Sequence, residues 1–104
     1  MDLQNFDHFM VVRKAASDSF VDGDPEPLRK ISAAHDPATI FGPKGDCVQG
    51  AKEVIAANGH GAARFGPGGT NDFEIMHSAV SGDLAYWVGI QRSTVSTARI
   101  KARR

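Results

Sequence analysis

Residues 76–92, MHSAVSGDLAYWVGIQR, constrain this chain more than any other stretch. Gly82-Asp83 sits between two alternating runs and suits a two-residue type II′ turn, whose first central position needs a positive φ that Gly adopts without steric cost. Folding the chain there pairs Ala79 with Tyr86, His77 with Val88 and Ile75 with Ile90. Strand alternation then puts Phe73, Ile75, His77, Ala79, Tyr86, Val88 and Ile90 on one face. The opposite face collects Glu74, Met76, Ser78, Val80, Ala85, Trp87, Gly89 and Gln91. A three-residue turn over residues 81–83 would slip the register by one and mix the two sets. The two-residue turn leaves a coherent apolar wall with one imidazole and one phenol set into it.

The segments before the hairpin read mainly as helices. Leu3, Phe6, Met10, Arg13, Ala16 and Phe20 recur at three- and four-residue spacing, broadened by Phe9 and Val12, which predicts an amphipathic helix over 3–21. Gly23 ends it as a left-handed cap. Asp24-Pro25-Glu26 then starts a second helix, with Asp as N-cap and Pro in the first turn, predicted over 25–35 and closed by Asp36-Pro37. Its buried side is Leu28, Ile31 and Ala34. Short strands are predicted over 39–42 and 46–49 around the turn GPKGD. A third helix over 51–65 follows, with Val54, Ile55 and Ala57 facing in, and is weakened by Gly59 and Gly61 at about 1 kcal/mol each. Gly66-Pro67-Gly68-Gly69 reads as a loop before long strands over 71–81 and 84–96. After Gly89 there is no Gly, Pro, Asn or Asp to make a further tight turn. The end is open to three readings: a longer strand, a frayed tail, or a short helix from near Thr97.

With 104 residues the chain reads as one domain, 1–104, able to bury a core with little surplus stability. Formal net charge is zero, giving no bulk attraction to nucleic acid or an anionic membrane. Four of its twelve Lys/Arg charges lie in Arg99, Lys101, Arg103 and Arg104, so residues 1–98 carry four excess negative charges. One cysteine, Cys47, excludes an intramolecular disulfide and fits a reducing compartment. No apolar run reaches membrane-spanning length, and Asp2 and Asp7 replace the basic start of a signal peptide. The expectation is a cytoplasmic protein with neither membrane nor nucleic-acid partner.

The pieces DGDPEPL, DPATIFGPKGDCVQG and VSGDLAYWVGIQR, in the order helix, helix, short hairpin, helix, long hairpin, resemble the SnoaL-like and ketosteroid-isomerase-like branch of the nuclear transport factor 2-like superfamily. The resemblance covers roughly residues 6–95. It implies an α+β fold in which a cone-shaped, curved antiparallel sheet wraps round three helices, cystatin-like in outline, with a small-molecule pocket at the open end. It also implies a homodimer packed through the outer sheet face. The isomerases' catalytic residues do not carry over. Their general-base Asp corresponds to Gly42 here and their oxyanion-hole Tyr to Ala16, so steroid isomerisation by that route is not expected. Relatives add further strands after the counterpart of Arg92. In this chain the edge is expected either to be covered by a partner or to end short with a basic border.

Two candidate sites emerge. His77 and Tyr86, diagonal on the apolar face, could serve one ligand as general acid–base and hydrogen-bond donor; the competing reading is a core pair satisfied by backbone. Phe20, Phe41, Phe73, Ile75, Val88 and Ile90 would line the pocket around a small hydrophobic ligand. On the other face Met76, Trp87 and Gln91 would form the homodimer interface, or Trp87 would instead turn inward as a pocket wall; alternation favours the interface. His8, His35 and His60 are scattered without metal-ligand spacing, so no metal or cofactor is expected. Cys47 is expected to be buried and inert, residues 59–69 to be a mobile rim at the cone's mouth, and Asp18, Asp22 and Asp24 to be a solvated helix end. Two functions follow: a SnoaL-like binder of a small hydrophobic metabolite, with isomerase-, cyclase- or hydrolase-like chemistry open to it, or a non-catalytic dimerisation module.

Overall fold

A computed structural model describes residues 3–97, with side chains from 5 onward. The three readings of the chain end beyond Thr97, and the basic residues Arg99, Lys101, Arg103 and Arg104, lie outside the described residues. The order is α1 (Leu3–Val21), α2 (Glu26–Ile31), β1 (Thr39–Phe41), β2 (Cys47–Gln49), α3 (Ala51–Ala62), β3 (Phe65–Ser81) and β4 (Leu84–Thr97). The described residues form an α+β arrangement: three helices and two antiparallel two-stranded sheets, β1–β2 and β3–β4.

α1 buries Phe6, Ala16, Ser17 and Val21, with Phe9, Met10, Arg13 and Phe20 half-buried between them, which is the i, i+3, i+4 stripe of a helix with one covered side. Gly23 follows it at φ +100°, and its N–H bonds the Phe20 carbonyl at 3.0 Å. Asp24 caps the next helix, its Oδ1 accepting the Glu26 N–H at 3.0 Å. α2 is shorter than the predicted 25–35. Ser32 leaves the helix at ψ 153°, and its hydroxyl donates back to the Leu28 carbonyl at 2.7 Å. A serine that satisfies the backbone locally competes with helix propagation, so the stop precedes Asp36-Pro37. Asp36 instead reaches forward: its Oδ1 accepts the Ala51 N–H at 2.6 Å and satisfies the first turn of α3.

The stretch predicted as a loop over 66–69 is the start of β3. Gly66 pairs with Ser96 and Thr70 with Thr94, so residues 67–69 bulge out of the ladder. Asp22 Oδ1 accepts the N–H groups of Gly68 and Gly69 at 2.9 and 3.0 Å. One carboxylate thus clamps the bulge to the end of α1. Residues 68 and 69, expected in a mobile rim, are tied to α1 by that contact, while Asp18, Asp22 and Asp24 are exposed, as expected of a solvated helix end. Asp18 is also engaged, accepting from Lys14 Nζ at 2.8 Å and Asn71 Nδ2 at 3.1 Å. The Lys14 hydrogen bond, with Asn71 adding to it, holds its carboxyl below the ordinary value.

At the tip of the long hairpin Ser81 pairs with Leu84 across Gly82-Asp83. Gly82 has φ +57° and Asp83 has no positive φ, as a type II′ turn requires. The register runs as read from the sequence through Ala79↔Tyr86 and His77↔Val88. It then shifts: Ile75 pairs with Gly89 and not Ile90, leaving Met76 as the extra residue of a β-bulge. Because side chains alternate with period two, one inserted residue moves everything beyond it to the other face. Phe73 and Ile75 therefore leave the face of His77 and Tyr86 and join that of Trp87. A Cβ on Gly89 would press against the Glu74 carbonyl, so the strands close up opposite the bulge only because position 89 has no side chain.

Candidate functional site

The bulge decides which sheet face meets the helices. Trp87 turns inward and stacks on Phe73 at 5.2 Å between ring centroids. Arg13 of α1 lies over both rings, its Cζ 5.7 Å from the Phe73 centroid and 6.0 Å from that of Trp87. The expected placement of Trp87 on an outer interface with Met76 is thus corrected: Trp87 is half-buried under α1, and Met76 is the bulged residue, 61% exposed. Next to the stack a polar ladder crosses the same face. Gln91 Nε2 donates to Ser93 Oγ at 3.2 Å, Ser93 Oγ donates to Asn71 Oδ1 at 3.0 Å, and Asn71 Nδ2 donates to Asp18. Gln91, expected at an outer interface, lines the cavity on the helix-facing side of the hairpin and is exposed.

Between α1 and these strands opens a cavity of about 740 Å³. α1 contributes Arg13, Ser17 and Phe20, and α2 contributes Leu28. Ile40, Phe41, Gly42 and Pro43 form the wall on the β1 side, with Asn58 from α3 and Gln91 and Ser93 from β4. Its size lies in the range of small-molecule sites, and its lining combines aromatic and aliphatic side chains with a few polar groups. Phe41 is 78% exposed, presenting an aromatic ring at the edge of the hollow. None of the lining residues is a carboxylate, an imidazole or a thiol. The charge among them belongs to Arg13 alone.

Arg13 is the residue that sequence reading did not single out. Helical spacing marked it only as a member of the buried stripe. Its guanidinium donates to the Ser17 hydroxyl one turn away and rests on two aromatic rings, yet among the described residues no carboxylate pairs with it. Burial pushes its pKa below the usual arginine value. The two ring contacts offset that desolvation by about 0.5–2 kcal/mol. The signal in the sequence was a lone cation inside an apolar stripe.

The remaining expected site residues are dispersed. Phe20 and Phe41 line the cavity. Phe73 and Ile75 line a separate groove of about 350 Å³ with Met10, Val11 and Lys14. Val88 and Ile90 lie on the other sheet face, 43% and 40% exposed. His77 and Tyr86 keep their diagonal relation on that outer face, with an edge-to-face ring contact at 5.9 Å, and neither lines the cavity. An apolar wall carrying both the acid–base pair and the pocket residues is not formed, because the bulge separates them. Cys47, expected to be buried, is exposed, paired with Phe41 across the β1–β2 hairpin. Among the described residues no group of three or more His, Cys, Asp or Glu could hold a metal ion. No helix among them is long and apolar enough to cross a membrane.

Comparison of the chain with protein-family models, with curated proteins and with solved structures finds no match.

Proposed function

We propose that this chain is a small-molecule-binding protein of the SnoaL-like, nuclear transport factor 2-like kind, working in the cytoplasm and holding a hydrophobic metabolite in a cone formed by its helices and hairpins. The observation that carries the reading is the cavity of about 740 Å³, walled by residues of α1, α2, α3 and both hairpins. The order of elements supports it as well. Gly42, where the resemblance sets a catalytic carboxylate in related enzymes, lines the hollow, and Ala16, at the position of their tyrosine, is 1% exposed. A lining without a group that titrates near neutrality supports binding over proton transfer.

The test is occlusion of the hollow. Leu28→Trp adds an indole to its wall and is expected to weaken binding of an aromatic probe such as 9-anthroate by about tenfold or more. His77→Ala and Tyr86→Phe, on the opposite face, should leave that binding unchanged. Loss of binding with these two and not with Leu28→Trp would overturn the reading.

A second reading, homodimerisation, is favoured by the outer face of β4. Leu84, Tyr86, Val88 and Ile90 stand 71%, 50%, 43% and 40% exposed in one line, an apolar strip that a second copy of the chain would cover. Light scattering at micromolar concentration should then give twice the chain mass, and Val88→Lys should restore a monomer. A monomeric wild-type chain would refute the dimer and leave the binding site standing.

A further inference from the structure

Resting on the reading of the cavity as a binding site, we infer that its ligand is an organic monocarboxylate: an apolar, ring-bearing body with one carboxylate seated on Arg13. The guanidinium is half-buried at the cavity wall, and among the described residues no acidic side chain neutralises it. The three ion pairs formed by the described residues join Lys14 to Asp18, Arg29 to Glu26 and Arg92 to Glu74, and none of them involves Arg13. A desolvated cation without a counter-charge is costly to a fold, and an anionic ligand removes that cost on binding.

The geometry restricts the anion further. Arg13 is held by its Ser17 hydrogen bond and by the paired rings of Phe73 and Trp87, so its planar fork is oriented before a ligand arrives. A guanidinium has five N–H donors. Ser17 accepts one of them, leaving others for a two-oxygen acceptor. One cation matches a single negative charge, whereas a phosphate dianion would leave excess negative charge in a hollow whose other lining is neutral. Asn58, whose side-chain amide has no partner among the described residues, adds a donor from α3. Phe20, Leu28, Ile40 and Phe41 take the apolar body.

The experiment compares shape-matched pairs that differ only in charge: 2-naphthoate against 2-naphthamide, and 9-anthroate against 9-anthramide, by calorimetric titration at neutral pH. The wild-type chain is expected to prefer each carboxylate by about tenfold or more. Arg13→Met should abolish the preference while retaining the amide's affinity, and Arg13→Lys should retain part of it, with circular dichroism confirming that each variant folds. The wild-type comparison stands even if Arg13→Met does not fold. Equal affinity of acid and amide would overturn the monocarboxylate inference and leave the cavity reading intact. Failure of all four probes to bind would overturn both.

Discussion

Deleting Met76 is expected to lower the melting temperature by on the order of 15 °C, because it removes the residue that reverses the faces of β3. Closing the bulge while the turn at Gly82-Asp83 holds would rotate Asn71, Phe73 and Ile75 outward. Phe73 would lose its stacking on Trp87 and its contact with Arg13, and Asn71 would leave Asp18 and Ser93. Transfer of these groups and loss of their bonds come to about 3 kcal/mol, and each kcal/mol moves the midpoint of a domain this size by about 4–8 °C. Met76→Ala is the control. The side chain is 61% exposed, so truncating it should cost less than about 1 kcal/mol, showing that the residue count matters and the methionine does not. Thermal unfolding of the two variants checks this; equal melting temperatures would contradict it.

That bulge also marks where sequence reading stopped being sufficient. The turn, the pairing of Ala79 with Tyr86 and the stripe on α1 follow from short-range chemistry: a glycine with positive φ, alternation, and helical spacing. A bulge breaks alternation without changing composition, and extrapolating the register past it put Phe73 and Ile75 on the face of His77 and not on that of Trp87. One clue was present. Gly89 lies in the middle of an otherwise well-filled strand, and a mid-strand glycine often marks a bulge or a close approach. Asp22 and Asp36 were equally hard to place, since their backbone partners lie 46, 47 and 15 residues away. Arg13 was visible as a residue but not as a site, because its significance depends on what surrounds it in space.

Replacing Gly23 by Ala is expected to destabilise the chain by about 2–4 kcal/mol. Two costs add. At φ +100° a side chain is strained, and its Cβ would sit 2.5 Å from the Phe65 carbonyl oxygen, where β3 begins against the end of α1. Neither partner is a flexible side-chain tip, so relief requires moving the backbone. Gly45→Ala separates the two costs. That residue has φ +87° with nothing within 4 Å of an added Cβ, so only the conformational strain of about 1–2 kcal/mol remains. Urea unfolding of both variants gives the difference directly, and an equal loss would show that the contact with Phe65 is not what requires glycine at 23. The effect reaches the site because Phe65 also packs edge-to-face on Phe20 at 5.9 Å, and Phe20 lines the cavity.

Ligand binding belongs to the hollow between α1, β1 and the inner face of the long hairpin. Amide chemical shifts of the isotope-labelled chain, followed as 9-anthroate is added, test this most directly. The largest changes are predicted at Ser17, Phe20, Phe41, Asn58 and Ser93. Changes concentrated instead at His77, Tyr86 and Val88 would put the ligand on the outer sheet face and contradict it.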